Sequence, residues 1–147
     1  MQITTHASVH NTHATVGSLA LRPVVTVPEG ASLAEVARRL EEANISAALV
    51  GDEPKLSRIV TERDLTRAMA HRQAPEDAVG TTATQGPVWV TPETSLLEAA
   101  EIMVRHEVRH LLMILPTTGE VVGVVSIRDV FPVLLGAAEH PSTMASD

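Results

Sequence analysis

The sequence predicts an α+β fold made of two tandem β-α-β-β-α repeats that form one pseudo-symmetric module. One observation is a long internal match, in which residues 24–50 (VVTVPEGASLAEVARRLEEANISAALV) align with residues 87–114 (PVWVTPETSLLEAAEIMVRHEVRHLLMI). A second is the stretch RIVTERDLT, residues 58–66, which returns as GVVSIRDVF at residues 123–131. The third is the order of the patterns, since each copy passes from a strand to a helix, a hairpin and a second helix start.

Each copy opens with a short β-branched strand that ends near a proline, and an amphipathic helix follows. The helices begin at Ser32 with Glu35 and at Ser95 with Glu98, a spacing typical of the capping box that satisfies free amides at a helix start. Apolar residues recur at helical spacing behind both starts: Leu33, Val36, Ala37 and Leu40, then Leu96, Ala99, Ala100 and Met103. We therefore expect each helix to bury one face.

Two apolar runs then predict a β-hairpin in each copy. The runs are residues 47–50 and 56–60 in the first copy and residues 111–115 and 121–125 in the second. The last strand of each hairpin leads directly into a helix, for which Thr61 or Ser126 is the expected N-cap. Pro132 predicts a kink or break early in the final helix, because proline lacks an amide hydrogen.

These patterns divide the chain into five segments. We expect a flexible N-terminal lead-in over 1–15, a first repeat over 16–72, a linker over 73–82, a second repeat over 83–136 and a C-terminal tail over 137–147. One helical turn is expected around 16–21. His6, His10 and His13 in the lead-in would share one face of a helix, as a zinc or nickel site requires. No cysteine or nearby carboxylate completes such a site, so a mobile tail is the preferred interpretation.

Composition excludes several classes of function. The formal net charge of −7 disfavours nucleic-acid binding and an anionic membrane surface, since both need clustered Lys and Arg. The chain has no cysteine, which excludes thiol catalysis and disulfides. No apolar run approaches the roughly 20 residues of a spanning helix, and the N-terminus does not resemble a signal peptide. We therefore expect a cytoplasmic protein.

The repeated strand-to-helix turn is the candidate binding feature. Thr61 matches Ser126 and Asp64 matches Asp129, each pair being 65 residues apart. A helix N-terminus presents free amides and a partial positive charge, which favour phosphate, and an aspartate one turn later can accept hydrogen bonds from a ribose diol. Arg63 and Arg128 precede the aspartates and can add positive charge. The alternative is that hydroxyl and aspartate are helix caps and nothing more.

With these motifs the chain resembles a tandem pair of CBS domains, known as a Bateman module, over residues 16–135. The resemblance implies two repeats packed sheet to sheet, with clefts that bind an adenosine-containing ligand: AMP, ADP, ATP or S-adenosylmethionine. It also implies a disc-shaped homodimer that lacks catalytic activity and resident cofactors and that regulates a partner protein. The aliphatic helix face of Leu96, Ala100 and Met103 independently predicts a dimer, because it needs cover beyond one thin sheet.

The resemblance also implies roles for individual residues. Asp64 and Asp129 would hold the ribose, and Thr61 and Ser126 would lie near the phosphate. Arg109 and His110 would also contact the phosphate. The first adenine pocket would be lined by Val24 and Thr26, and the second by Thr84, Pro87 and Val88. The glycine usual in the motif is present as Gly123 but replaced by Arg58 in the first copy, so we expect tighter binding at the second site.

One further candidate contact and two alternative functions are considered beside this interpretation. Trp89 could stack on a base, although a single tryptophan in a strand more often lies in a core or a dimer interface. Serine, histidine and aspartate are all present, but no motif such as G-x-S-x-G supports a hydrolase. The main alternative function is a ligand-free structural or partner-binding dimer.

Overall fold

The computed structural model describes residues 13–51 and 58–136, and both copies have the predicted order of elements. The first repeat contains β1 (Thr26–Val27), α1 (Leu33–Ala43), β2 (Ala47–Val50), β3 (Arg58–Thr61) and α2 (Glu62–Ala70). After β4 (Thr84–Gln85), the second contains β5 (Trp89–Val90), α3 (Leu96–His106), β6 (His110–Ile114), β7 (Val121–Ser126) and α4 (Ile127–Leu134). The expected turn near residue 16 is a 3-10 turn, Val16–Ser18, and a second one spans Val79–Thr81. The predicted α+β fold is confirmed.

The strands form two sheets that pack against each other. The first sheet has four strands in the order β1-β2-β3-β4, and the second has three in the order β5-β6-β7. In each sheet the entering strand is parallel to its neighbour, and the hairpin strands are antiparallel. Ala47, Leu49 and Ile59 of the first sheet share one buried cluster with Leu112 of the second. The sheets therefore meet face to face, as the resemblance implies.

The opposite face of each sheet is covered by the two helices of its own repeat. Leu33, Val36 and Leu40 of α1 are buried in the first repeat, as their spacing predicts. Leu96, Ala100 and Met103 of α3 are likewise buried in the second. The argument that these three residues need a second chain to cover them is therefore wrong. The dimer itself stays a prediction.

The chain just before β1 packs into the second repeat, and the chain just before β4 packs into the first. Val16 lies in the core of the second repeat, and Val79, which comes 63 residues later, lies in the core of the first. Each turn is held by backbone hydrogen bonds of 2.7 to 3.0 Å that match at the same spacing: Val16 to Thr94, Gly17 to Pro92 and Leu96 to Ala14, then Val79 to Ala31, Gly80 to Glu29 and Leu33 to Asp77. Because each core contains a segment from outside its own repeat, the two repeats form one folding unit.

The exchange also places β4 in the first sheet, although Thr84 was expected at the second adenine pocket. Thr84 pairs with Ile59, so β4 is an edge strand of the first sheet. The second repeat begins at β5, as the β-branched run before Pro92 predicts, and Trp89 is the register partner of Leu112. A residue such as Thr84 therefore belongs structurally to the repeat that precedes it in sequence.

Helix boundaries follow the predicted caps with two differences. Ser32 and Ser95 each accept a 3.1 Å hydrogen bond from the amide three residues on, but the Glu35 carboxylate pairs with Arg38 rather than returning to the cap. Pro132 lies inside α4, which continues to Leu134, so of the predicted kink or break the break is wrong and the kink stays a prediction. Because proline has no amide hydrogen, one backbone hydrogen bond is absent from the last turn of the helix.

Candidate functional site

A cavity of about 940 Å³ opens between the two repeats. It is lined by the chain before β1, including Leu19, Val24 and Val25, and by the first turns of α2 and α4. The size suits a nucleotide-sized ligand, and the aliphatic residues form an apolar wall for a base. The site is therefore built by both repeats together.

Asp129 places a partly free carboxylate at this cavity. Its Oδ2 accepts hydrogen bonds from the Ser126 amide at 2.8 Å and from the Ser126 hydroxyl at 2.9 Å. Its Oδ1 has no hydrogen-bond or ion-pair partner among residues 13–51 and 58–136. Asp129 is half-buried and lines the cavity together with Ser126 and Arg128. The cap thus orients the carboxylate and leaves one oxygen for a ligand.

Asp64 has the same local structure in a different environment. Its Oδ2 accepts from the Thr61 amide at 2.9 Å and the Thr61 hydroxyl at 3.0 Å, and its amide donates to that hydroxyl at 3.2 Å. However, Asp64 is only 6% exposed, and its Oδ1 lies 3.6 Å from Arg67. Asp64 does not line the cavity. Its carboxylate is therefore used as a cap and an ion-pair partner.

The structure brings together some of the predicted site residues and separates others. The cavity is lined by Val24, His110, Ser126, Arg128 and Asp129. The remaining predicted residues do not line it: Thr26, Thr61, Arg63, Asp64, Thr84, Pro87, Val88 and Arg109. Val24 was expected beside Asp64 but lies in the same cavity as Asp129, because the chain just before β1 packs against the second repeat.

His110 lines the cavity and joins the two repeats. Its Nε2 is 2.7 Å from the Ser46 hydroxyl. Burial lowers the pKa of His110 below its ordinary 6.5, although Asp129, Glu62 and Asp64 raise it. The imidazole therefore tends to be neutral near pH 7 and can donate or accept one hydrogen bond per nitrogen.

Arg58 does not reach the cavity. Its guanidinium pairs with Glu29 at 2.8 Å and donates to the carbonyl of Gly80, so it holds the 3-10 turn at Val79 against the first repeat. Gly123, at the matching position, faces the side chains of Leu21 and Met113 rather than open space. The contrast between Gly123 and Arg58 thus gives no reason to rank the two sites. The different surroundings of Asp129 and Asp64 do give a reason to expect tighter binding at Asp129.

Sequence reasoning missed three charged residues that line the cavity: Arg22, Glu41 and Glu62. Glu62 lies inside the repeated turn, directly after Thr61, where a signal was available. Arg22 and Glu41 belong to no repeated motif. Arg22 reaches the site because the chain just before β1 packs into the second repeat, and Glu41 reaches it from the end of α1.

The other hypotheses have different outcomes. His6 and His10 lie outside the described residues, while His13 is exposed in a turn. Within the part of the chain that the structure describes, no group of three or more potential ligands could hold a metal ion. None of the described helices is long and apolar enough to cross a membrane. Trp89 is 58% exposed and does not line the cavity, so it is not a core residue of this chain.

This fold and paired motif define a known class of module, and the chain belongs to the CBS domain family. The family model matches twice, at residues 16–71 and 79–136. A CBS domain-containing protein of Arabidopsis thaliana, CBSCBSPB3, is 33% identical over 92% of this chain. The chain spans 25% of the length of that plant relative.

Solved structures show the same fold with bound nucleotides. A CBS domain protein from Pyrobaculum aerophilum, complexed with AMP, has 35% identity and a TM-score of 0.73 over 86% of this chain and 99% of its own. The cytosolic domain of the Mg²⁺ channel MgtE, in complex with ATP, has 29% identity and a TM-score of 0.66 over 83% of this chain and 49% of its own. The nucleotides in these two structures differ in their number of phosphate groups.

Proposed function

We propose that this chain is a non-catalytic regulatory module that binds an adenosine-containing ligand in the cavity between its repeats. The observation that carries the proposal is the Asp129 carboxylate, which is oriented by Ser126 and has one unpartnered oxygen, among the described residues, at a nucleotide-sized cavity. The AMP complex of the Pyrobaculum aerophilum relative supports the ligand class. The candidates are AMP, ADP, ATP and S-adenosylmethionine.

Each part of the ligand has a proposed contact. The Asp129 carboxylate accepts hydrogen bonds from the ribose diol, and Val24, Val25 and Leu19 cover the base. Ser126, Arg128 and the first turn of α4 bind the phosphate, since free amides and the helix dipole favour an anion there. These roles extend the two-residue motif to a complete binding site.

The cavity also suggests how binding is transmitted. The first turn of α2 belongs to the first repeat and the first turn of α4 to the second, and both line the cavity. A ligand that touches both stabilises one arrangement of the repeats over others. We propose that this change alters the contacts of a cytoplasmic homodimer with a regulated partner protein, without a cofactor and without chemistry on the ligand.

A thermal unfolding screen tests the proposal. AMP, ADP, ATP and S-adenosylmethionine are added to the chain, with GMP, CMP and inorganic phosphate as controls. A ligand that binds only the folded state, present at a hundred times its Kd, adds about 2.7 kcal/mol, which raises the Tm by several degrees. We expect an adenosine compound to give this shift and the controls to give none. No shift with any adenosine compound would favour the ligand-free dimer.

A further inference from the structure

We propose that this cavity selects among adenosine ligands by their charge and binds a monophosphate more tightly than a triphosphate. Glu62 is the residue that disfavours the additional phosphates. The inference rests on the proposed function and names its ligand more closely. The known relatives leave the choice open, because one is complexed with AMP and the other with ATP. The charges that line the cavity of this chain decide it.

The described lining residues carry more acid than base. The cations are Arg22 and Arg128, and neither has an ion-pair partner in residues 13–51 or 58–136. The acids are Glu41, Glu62 and Asp129. His110 adds little positive charge near neutral pH, because burial lowers its pKa. Two arginines therefore face three carboxylates.

The two arginines suffice for one phosphate group. A phosphate monoester carries about −1.5 to −2 charges at pH 7, which Arg22, Arg128 and the amides of α4 can balance. Asp129 is occupied in this arrangement, since it accepts from the ribose. Each further phosphate adds negative charge with no third arginine among the described lining residues. Glu41 and Glu62 are then the charges left to face it.

Glu62 is placed to act against the added phosphates. It is the first residue of α2, and its amide donates a 3.0 Å hydrogen bond to the Ser46 carbonyl, which fixes the start of the helix at the cavity. Its carboxylate lies close enough to His110 to raise the pKa of that residue. Its side chain is exposed and makes no ion pair with a described residue. Glu62 thus presents an unneutralised charge from the repeat opposite Asp129.

The size of the effect follows from the electrostatics of a half-open site. A carboxylate and a phosphate charge a few ångströms apart, in an effective dielectric between those of protein and water, repel by enough to change affinity about tenfold. ATP has two phosphates beyond AMP, so we expect AMP to bind about tenfold to a hundredfold more tightly.

Titration calorimetry with adenosine, AMP, ADP and ATP in EDTA tests the inference, since a bound divalent cation would mask the charges. The unmodified chain is compared with Glu62→Gln, which removes one cavity charge. The control is Glu76→Gln, which makes the same change of net charge at an exposed linker residue outside the cavity. Thermal unfolding verifies that both variants are folded.

We expect affinity to fall from AMP to ADP to ATP. Glu62→Gln should narrow the gap between the dissociation constants of AMP and ATP about tenfold, and Glu76→Gln should leave that gap unchanged. ATP binding as tightly as AMP to the unmodified chain would overturn the inference and leave the proposed function standing. A gap unchanged in Glu62→Gln would overturn the role of Glu62. If none of the four compounds binds, the proposed function and this inference both fail.

Discussion

The Ser46 hydroxyl and His110 Nε2 lie 2.7 Å apart, and this hydrogen bond joins the two repeats at the cavity. The residues belong to neighbouring positions of the two copies, yet one is a small hydroxyl and the other a titratable ring. Because only His110 of this pair titrates near neutral pH, its protonation state affects the contact between the repeats.

His110 should make folding stability depend on pH. Its pKa is lowered in the folded chain, chiefly by burial, so the unfolded chain binds the proton more strongly. The free energy of unfolding is therefore highest above about pH 6.5 and falls as the pH drops from that value toward the folded pKa. His110→Gln removes this dependence. Urea unfolding at pH 7.5 and pH 5.5 measures it, and an identical loss in both proteins would contradict the account.

Gly17 should tolerate a side chain poorly. A Cβ atom at Gly17 would lie 2.9 Å from the Pro92 carbonyl oxygen, at the contact that holds the exchanged turn. We expect Gly17→Ala to destabilise the chain by about 1–3 kcal/mol in denaturant unfolding, as overpacking does. Gly30→Ala is the matched control, because nothing lies within 4 Å of its Cβ position. Equal stabilities of the two variants would argue against the tight turn.

Two truncations should divide the N-terminal segment into a dispensable part and a structural part. Deletion of residues 1–13 spares Ala14 and Val16, so folding and ligand affinity should not change. Deletion of residues 1–18 removes Val16, which is 0% exposed, and should cost at least about 2 kcal/mol in a urea titration. A large loss from the shorter deletion, or loss of a bound metal, would instead favour the histidine metal site.

The outer helix surface should form the predicted homodimer. Leu97 and Val104 share a face of α3, on the opposite side from its buried residues, and Val104 is 73% exposed. Exposed apolar faces of this kind commonly mark interfaces. Sedimentation at micromolar concentration should give twice the 15.7 kDa mass of the chain, and Val104→Glu should shift it to a monomer. A monomeric unmodified chain would count against the dimer.

The local structure could be predicted from the sequence because its signals lie within a few residues of one another. The N-caps Ser32, Ser95 and Thr61 begin helices as expected, and the apolar spacing of α1 and α3 identifies their buried faces. These features depend on hydrogen bonds and periodicity inside one segment, which the order of residues determines directly.

The composition of the site could not be predicted in the same way, because it depends on contacts between distant segments. Val24 shares a cavity with Asp129 rather than Asp64 because the chain just before β1 packs into the second repeat. One signal of this exchange was present, since the pair Val16–Gly17 returns as Val79–Gly80. The contact of Arg58 with the Gly80 carbonyl carried no such signal, as it depends on a turn brought in from the linker.

The central claim is that Asp129 holds an adenosine ligand while Asp64 serves as a cap. Asp129→Asn and Asp64→Asn are a matched pair, because each keeps a cap acceptor and loses one charge. In Asp129→Asn the amide nitrogen would face the ribose and could not accept from it. Calorimetric titration with AMP should show a loss of about tenfold to a hundredfold for Asp129→Asn, as expected for hydrogen bonds to a charged acceptor, and little change for Asp64→Asn. The claim is contradicted if Asp64→Asn abolishes binding while Asp129→Asn does not, or if the unmodified chain binds no AMP.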